Sequence, residues 1–189
     1  MNIISHVHTV WQGLRGSELV PYRSQLDPTA LGSAVTQLAI METTNSGPRF
    51  RVAGERLNLV AGFCLRGVHF LSIFNQDSRN HAQSAANQTI LNKSKTVITG
   101  HLATPFGDST AYEMILLPMR SDCGTINRIL VGVDWDEQIT PAQFTIAHVS
   151  GDIASESAVP SVELATVDGG CEKSAARRGH LRLVHSSEG

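Results

Sequence analysis

The chain has 189 residues and a formal net charge of −2, with 41% hydrophobic and 17% charged residues. This length suits one folded domain with an appendage, and the lack of a basic excess argues against binding to nucleic acid or to anionic membranes. No run approaches the roughly 20 apolar residues of a membrane span, which argues against membrane insertion. The first residues also lack the pattern of a secretory signal. We therefore expect a cytoplasmic protein.

The first thirty residues predict a helical segment followed by an extended connector. Trp11 and Leu14 stand three positions apart and share one helical face, and Gly16 can end that helix. Asp27 followed by Pro28 is typical of a helix start, with the cap and then proline at the first helical position. The apolar side chains of this segment must be buried against the sheet or a second subunit. Four of them are candidates for an interface: Trp11, Leu14, Leu19 and Tyr22.

The next part of the chain predicts a helix, a hairpin and two further helices. Residues 28–37 carry apolar side chains at helical spacing. Residues 38–43 and 49–54 flank a turn cluster, and the second of them alternates polar with apolar residues, which is typical of a β-hairpin. A short helix is predicted over residues 55–61. A longer one, capped by Asp77, reaches about residue 93 and carries a stripe of small side chains.

Three strand-like segments follow, over residues 95–104, 111–120 and 126–135. The short polar turns between them predict an antiparallel meander. We predict one domain over residues 5–136 on this basis.

Periodicity is lost after residue 136. The composition of residues 137–189 predicts a linker and a flexible tail. Within it, residues 180–184 alternate as a short terminal strand does.

The order of these elements resembles a PAS domain. A more specific resemblance covers most of residues 11–135 and is carried by ordered short motifs, among them Trp11-Gln12-Gly13-Leu14-Arg15-Gly16, Phe50-Arg51-Val52-Ala53-Gly54 and Leu116-Leu117-Pro118. On these motifs the chain resembles the alphaproteobacterial PAS-like family of small stand-alone proteins. It departs from the family at Cys64 and Arg66, where an acidic residue and a threonine are usual.

The resemblance implies an α+β fold, with a five-stranded antiparallel sheet flanked by short helices and an N-terminal helical segment. It also implies a bacterial sensory or signalling adaptor that is not an enzyme and acts through contact with other signalling proteins. By analogy with the fold we expect a homodimer.

A small-molecule sensor is the alternative, because this fold can enclose an apolar cavity between the sheet and its helices. The same side chains could instead fill a packed core. Nine residues are candidates for the lining: Phe50, Val52, Leu59, Phe63, Phe70, Phe74, Ile90, His101 and Met114.

A haem sensor would need an axial histidine, for which His81 and His69 are the candidates. Histidines in such positions are more often surface or hydrogen-bonded residues. A flavin photosensor would need a reactive cysteine in an Asn-Cys-Arg motif, and Cys64 lacks those flanks.

The sequence carries no motif of a known catalytic or metal site. It has no nucleophile elbow, phosphate-binding loop or dinucleotide fingerprint. It has no Cys-x-x-Cys pair, and His6-Val7-His8 lacks a third ligand at a recognisable spacing. We therefore expect no catalytic residues, no metal and no resident cofactor, with an unknown small ligand as the open alternative.

Overall fold

The computed structural model describes residues 2–135 and 141–151. Within these ranges the chain forms four α-helices and six β-strands, joined by short 3₁₀ turns. In chain order they are α1 Ile3–Arg15, α2 Pro28–Leu31, β1 Leu38–Thr44, β2 Gly47–Ala53, α3 Glu55–Ala61, α4 Arg79–Leu91, β3 Thr96–Ala103, β4 Ser109–Arg120, β5 Ile126–Trp135 and β6 Gln143–Gly151.

All six strands belong to one antiparallel sheet with the order β2-β1-β5-β4-β3-β6. The α+β class is confirmed, but the expected count of five strands is wrong by one. Strand β6 pairs with β3 along its whole length, so the sheet continues beyond residue 136, where the linker was predicted to begin. The predicted terminal strand over residues 180–184 lies outside the described residues.

The helix starts follow local capping chemistry. The side chain of Asp27 accepts a hydrogen bond from the backbone N–H of Thr29 at 2.8 Å, as predicted for the start of α2. This helix lasts only four residues and continues as a 3₁₀ turn over Gly32–Gln37. Helix α4 begins two residues after the predicted cap Asp77, because Asn75 caps a preceding 3₁₀ turn through its hydrogen bond from Ser78 N–H at 3.1 Å.

Helix α1 packs on the sheet of its own chain, across β4 and β5. We call this side of the sheet the outer face. Trp11 is buried, and its indole N–H donates to the carbonyl oxygen of Pro118 at 2.8 Å. Leu14 is half-buried, whereas Leu19 and Tyr22 are exposed. Of the four interface candidates, Trp11 thus takes the intramolecular position.

The opposite, inner face carries the larger core, which α3, α4 and the turns between them cover. Side chains alternate between the faces along β4: Met114 and Leu116 point inward, and Ile115 and Leu117 point outward. Since all four are buried, the centre of the sheet is covered on both sides.

The close approach of β6 to β3 can be tested at Gly100. A Cβ atom there would overlap the backbone carbonyl oxygen of Thr145. We expect Gly100→Ala to lower the free energy of unfolding by about 1–3 kcal/mol, measured by urea denaturation, with faster hydrogen exchange of β6 amides.

Gly13→Ala is the matched control, because nothing lies within 4 Å of a Cβ at that exposed helical position. It should raise the free energy of unfolding by about 0.5–1 kcal/mol. Wild-type stability in Gly100→Ala would contradict the pairing of β6 with β3.

Candidate functional site

Five aromatic rings form a row between the inner face of the sheet and the helices, each ring in contact with the next. We call them the aromatic chain. Ring centroids are 5.8 Å apart for Phe50 and Phe70, 5.0 Å for Phe70 and Phe74, 5.7 Å for Phe74 and Phe144, and 4.9 Å for Phe144 and Tyr112. Three of these four contacts are edge-on or close to it, which is a favourable aromatic geometry. The four phenylalanines are at most 1% exposed, so the chain's own rings fill this part of the interior.

His69 caps the short 3₁₀ helix Phe70–Ile73, which carries Phe70 of the aromatic chain. Its Nδ1 accepts from the backbone N–H of Leu71 at 3.2 Å, and its Nε2 lies 3.0 Å from the carbonyl oxygen of Ser46. A carbonyl oxygen only accepts, so in this contact Nε2 is the donor. This histidine therefore ties the β1–β2 turn to the aromatic chain.

Helix α4 approaches the inner face through a stripe of small side chains. Ala82, Ala85 and Ala86 are at most 2% exposed. The buried hydroxyl of Thr89 donates to the carbonyl oxygen of Ala85 at 2.8 Å and lies 2.8 Å from the hydroxyl of Thr96 on β3. The contact between the two hydroxyls joins the helix to the sheet.

Two polar groups in this core lack hydrogen-bond partners within the described part of the chain. They are the hydroxyl of Tyr112 and the indole N–H of Trp135, residues that face each other across β4 and β5. Their side chains are 3% and 5% exposed. Burial raises the pKa of the Tyr112 phenol well above its usual value. An unsatisfied buried donor costs free energy, so this pair could bind an acceptor oxygen.

A charged side chain covers one face of the Trp135 ring. The guanidinium of Arg56, on α3, lies over the indole ring at 4.8 Å from its centroid. Arg56 also donates to the side-chain oxygen of the buried Gln37. The indole is therefore held in place by a cation–π contact, while no described residue accepts a hydrogen bond from its N–H.

The structure does not bring the nine lining candidates together. Phe50, Phe70, Phe74 and Met114 are buried in the inner core, with Ile90 packed against it, and the others are exposed. The exposed ones are Val52, Leu59, Phe63 and His101.

A β-bulge explains why the side chains of Phe50 and Val52 lie on different faces of the sheet. Phe50 pairs with Met41 and Val52 with Ile40, so one extra residue of β2, Arg51, lies between the two pairs. The shift turns Phe50 to the inner face and Val52 to the outer face.

Val52 instead lines an apolar depression of about 160 Å³ on the outer face, which we call the outer groove. The segment that includes α2 forms one wall, and β1, β2 and β5 form the floor. Its main apolar side chains are Leu26, Leu31, Val35, Ile40, Val52 and Leu130. Leu59 and Phe63 line a separate, wider depression of about 640 Å³ beside α3.

His101 belongs to a third, more polar depression of about 400 Å³ on the outer face, together with Glu113 and Asp134. Asp134 accepts a hydrogen bond from the backbone N–H of Ile3 at 3.0 Å. Among the described residues, no three histidine, cysteine or acidic side chains are grouped as metal ligands. This depression is the most polar of the three.

The remaining candidates for cofactor chemistry lie away from the core. His81 is exposed on α4, His69 uses both ring nitrogens as described, and the thiol of Cys64 is exposed. None of these three side chains is placed to ligate a group held within the inner core.

One ion-pair cluster lies next to the outer groove. The carboxylate of Glu42 binds both Arg51 and Arg128. Burial alone would raise the pKa of Glu42, but the hydrogen bonds and charges of the two guanidinium groups outweigh it and lower that pKa. With two cations to one anion, the cluster carries a positive charge, and Arg51 is its more exposed member.

Comparison with known proteins gives one family match and several distant structures. A family model described as a PAS domain matches residues 3–133, and no curated relative matches the chain. In the structural comparison, VqmA bound to DPO is 12% identical with a TM-score of 0.47, over 58% of this chain and 56% of that one. The Vibrio cholerae VqmA dimer gives the same identity, TM-score and coverage of this chain, with 51% of its own.

An RNA-binding Light-Oxygen-Voltage receptor is 17% identical with a TM-score of 0.46, over 63% of this chain and 36% of that one. This chain therefore matches about half the length of the VqmA chains and about a third of this receptor. No helix in the described ranges has the length and apolar character needed to span a bilayer.

The buried phenol of Tyr112 predicts a specific loss of stability in alkali. Its pKa is raised in the folded state, against about 10 in the unfolded chain. The folded state therefore holds its proton more tightly, and the stabilisation present below pH 10 is lost as the pH rises above that value.

We expect the free energy of unfolding to fall more steeply above about pH 10 in wild type than in Tyr112→Phe, measured by urea denaturation across pH 8–11. At neutral pH the variant should be at least as stable as wild type, because it removes an unpaired buried hydroxyl. Parallel alkaline profiles in the two proteins would contradict the burial of this group.

Proposed function

Because the chain belongs to the PAS domain family, as its resemblance predicted, we propose that it is a non-catalytic sensory or signalling adaptor that acts through protein contact. PAS domains serve in sensing and signalling. The finer assignment rests on one observation: the aromatic chain fills the space where this fold could hold a ligand. A domain filled by its own side chains changes its output through its surface. Its partners are other cytoplasmic signalling proteins and a second copy of itself.

The layer between α3 and α4 is the part suited to change. It consists of short turns held by a few side-chain hydrogen bonds, such as that from Leu65 N–H to the Asn58 side chain at 2.9 Å and the two bonds of His69. Contact with a partner that favours one arrangement of this layer shifts the population toward it. The affinity for a second partner then changes by the free energy that couples the two binding events.

Native mass spectrometry of the chain purified from the cells that encode it tests this assignment. The adaptor predicts the mass of the chain alone or of its multiples, together with a partner protein captured by cross-linking in those cells. A stoichiometric small molecule in the native spectrum, or no partner in replicate captures, would count against it.

A small-molecule sensor is the second candidate, and the unpaired donors of Tyr112 and Trp135 favour it. A carbonyl or carboxylate oxygen is the acceptor that would satisfy both. The ring of Tyr112 also packs edge-on against Phe144 of β6, with 4.9 Å between the ring centroids. A haem sensor has less support, given the places of His81 and His69.

The same mass spectra distinguish the second candidate when two variants are included. Tyr112→Phe and Trp135→Phe each remove one donor and keep most of the ring volume. We expect the non-covalent adduct of a sensor to fall about tenfold in occupancy in either variant, which corresponds to losing one hydrogen bond to a buried group. An adduct of equal occupancy in all three proteins would place the ligand elsewhere.

A further inference from the structure

The turn between β3 and β4 presents a single aromatic side chain to solvent. Phe106 is 86% exposed, the largest value among the large apolar side chains of the described residues. The hydroxyl oxygen of Thr104 accepts hydrogen bonds from Phe106 N–H at 3.3 Å and Asp108 N–H at 3.1 Å. Backbone bonds from Thr104 N–H to Asp108 O at 2.9 Å and from Gly107 N–H to Thr104 O at 3.2 Å close the turn. The ring therefore projects from a well-bonded turn.

The outer groove has the size and polarity that such a ring requires. Its volume is about 160 Å³, and an apolar cavity of about 150 Å³ accommodates a benzene ring. Two of its lining residues, Val35 in the wall and Val52 in the floor, are themselves 38% and 54% exposed. The groove is thus open at the surface and lined by apolar side chains.

Phe106 cannot fill the outer groove of its own chain. Leu38, in the floor of the groove, pairs with Gly132, and Gly132 pairs with Ile115 on β4. From Ile115 to Ser109, where β4 begins, six residues of strand span about 20 Å, and the turn lies beyond that point. Phe106 can therefore reach an outer groove only on a second copy of the chain.

The charges beside the two features are complementary. Asp108, two residues after Phe106, is the single formal charge of the turn, and it is exposed. Beside the groove, Arg51 precedes Val52 and belongs to the cluster in which two guanidinium groups share the carboxylate of Glu42. A copy that inserts Phe106 into the groove would bring its carboxylate toward this positive cluster.

We propose that the chain self-associates by inserting Phe106 of one copy into the outer groove of another, with Asp108 facing Arg51 across the contact. This inference rests on the self-association included in the proposed function and identifies its surface. Phe106 and the outer groove lie on different parts of the same molecule, so the two copies use different surfaces and the contact is heterologous. It is small compared with a standard interface, and the association is weak and depends on concentration.

Complementary variants of the full chain test this contact by sedimentation velocity. Phe106→Ala removes the inserted ring, and Val52→Arg places a charge in the outer groove at an exposed position. We expect the sedimentation coefficient of wild type to rise as its concentration approaches about 1 mM, and that of each variant to stay constant. An equimolar mixture of the two variants should associate again, because Phe106→Ala keeps an intact outer groove and Val52→Arg keeps the Phe106 ring.

Leu91→Ala is the matched control, since Leu91 is 76% exposed at a different place, the end of α4. It should associate as wild type does. Wild-type association in Phe106→Ala, or no association in the mixture, overturns the proposed contact while leaving self-association intact. A wild type that stays monomeric overturns both, whereas the sensory role is decided separately by the mass spectra and the partner capture.

Discussion

The two central strands, β4 and β5, are covered on both faces, and the rest of the domain follows from this constraint. An antiparallel sheet commonly leaves one face to solvent, but Ile115 and Leu117 make the outer face of β4 as apolar as its inner face. Helix α1 supplies the cover, and Trp11 fixes it by its bond to Pro118. The N-terminal helix is therefore part of the domain core.

Elements with a clear period could be predicted from the sequence, whereas β6, whose alternation is interrupted, could not. Helix α3 and the β1–β2 hairpin follow the predicted pattern. In β6, Phe144 and Ile146 pair with inward positions two residues apart, but the register shift at Gly100 moves the next such position to Val149. The alternation is broken at that point, so the strand resembled a linker.

The candidate site was predictable in its residues more than in its arrangement. Strands buried on both sides carry apolar residues on both faces, so alternation did not show which set faces inward. The bulge beside Arg51 separated Phe50 from Val52, although they are two residues apart. The outer groove joins α2, β1, β2 and β5, and no local pattern describes a surface assembled from such distant segments. The missing partners of Tyr112 and Trp135 likewise depend on three-dimensional packing.

Gln37 connects the two sides of the sheet around its edge. It lies in the 3₁₀ turn that follows α2, and its amide donates to the carbonyl oxygen of Val133 at 3.0 Å while its oxygen accepts from Arg56 on α3. Both ends of the amide are occupied, so its orientation is fixed. The same amide therefore joins Arg56 of α3, on the inner side, to the segment that forms the wall of the outer groove.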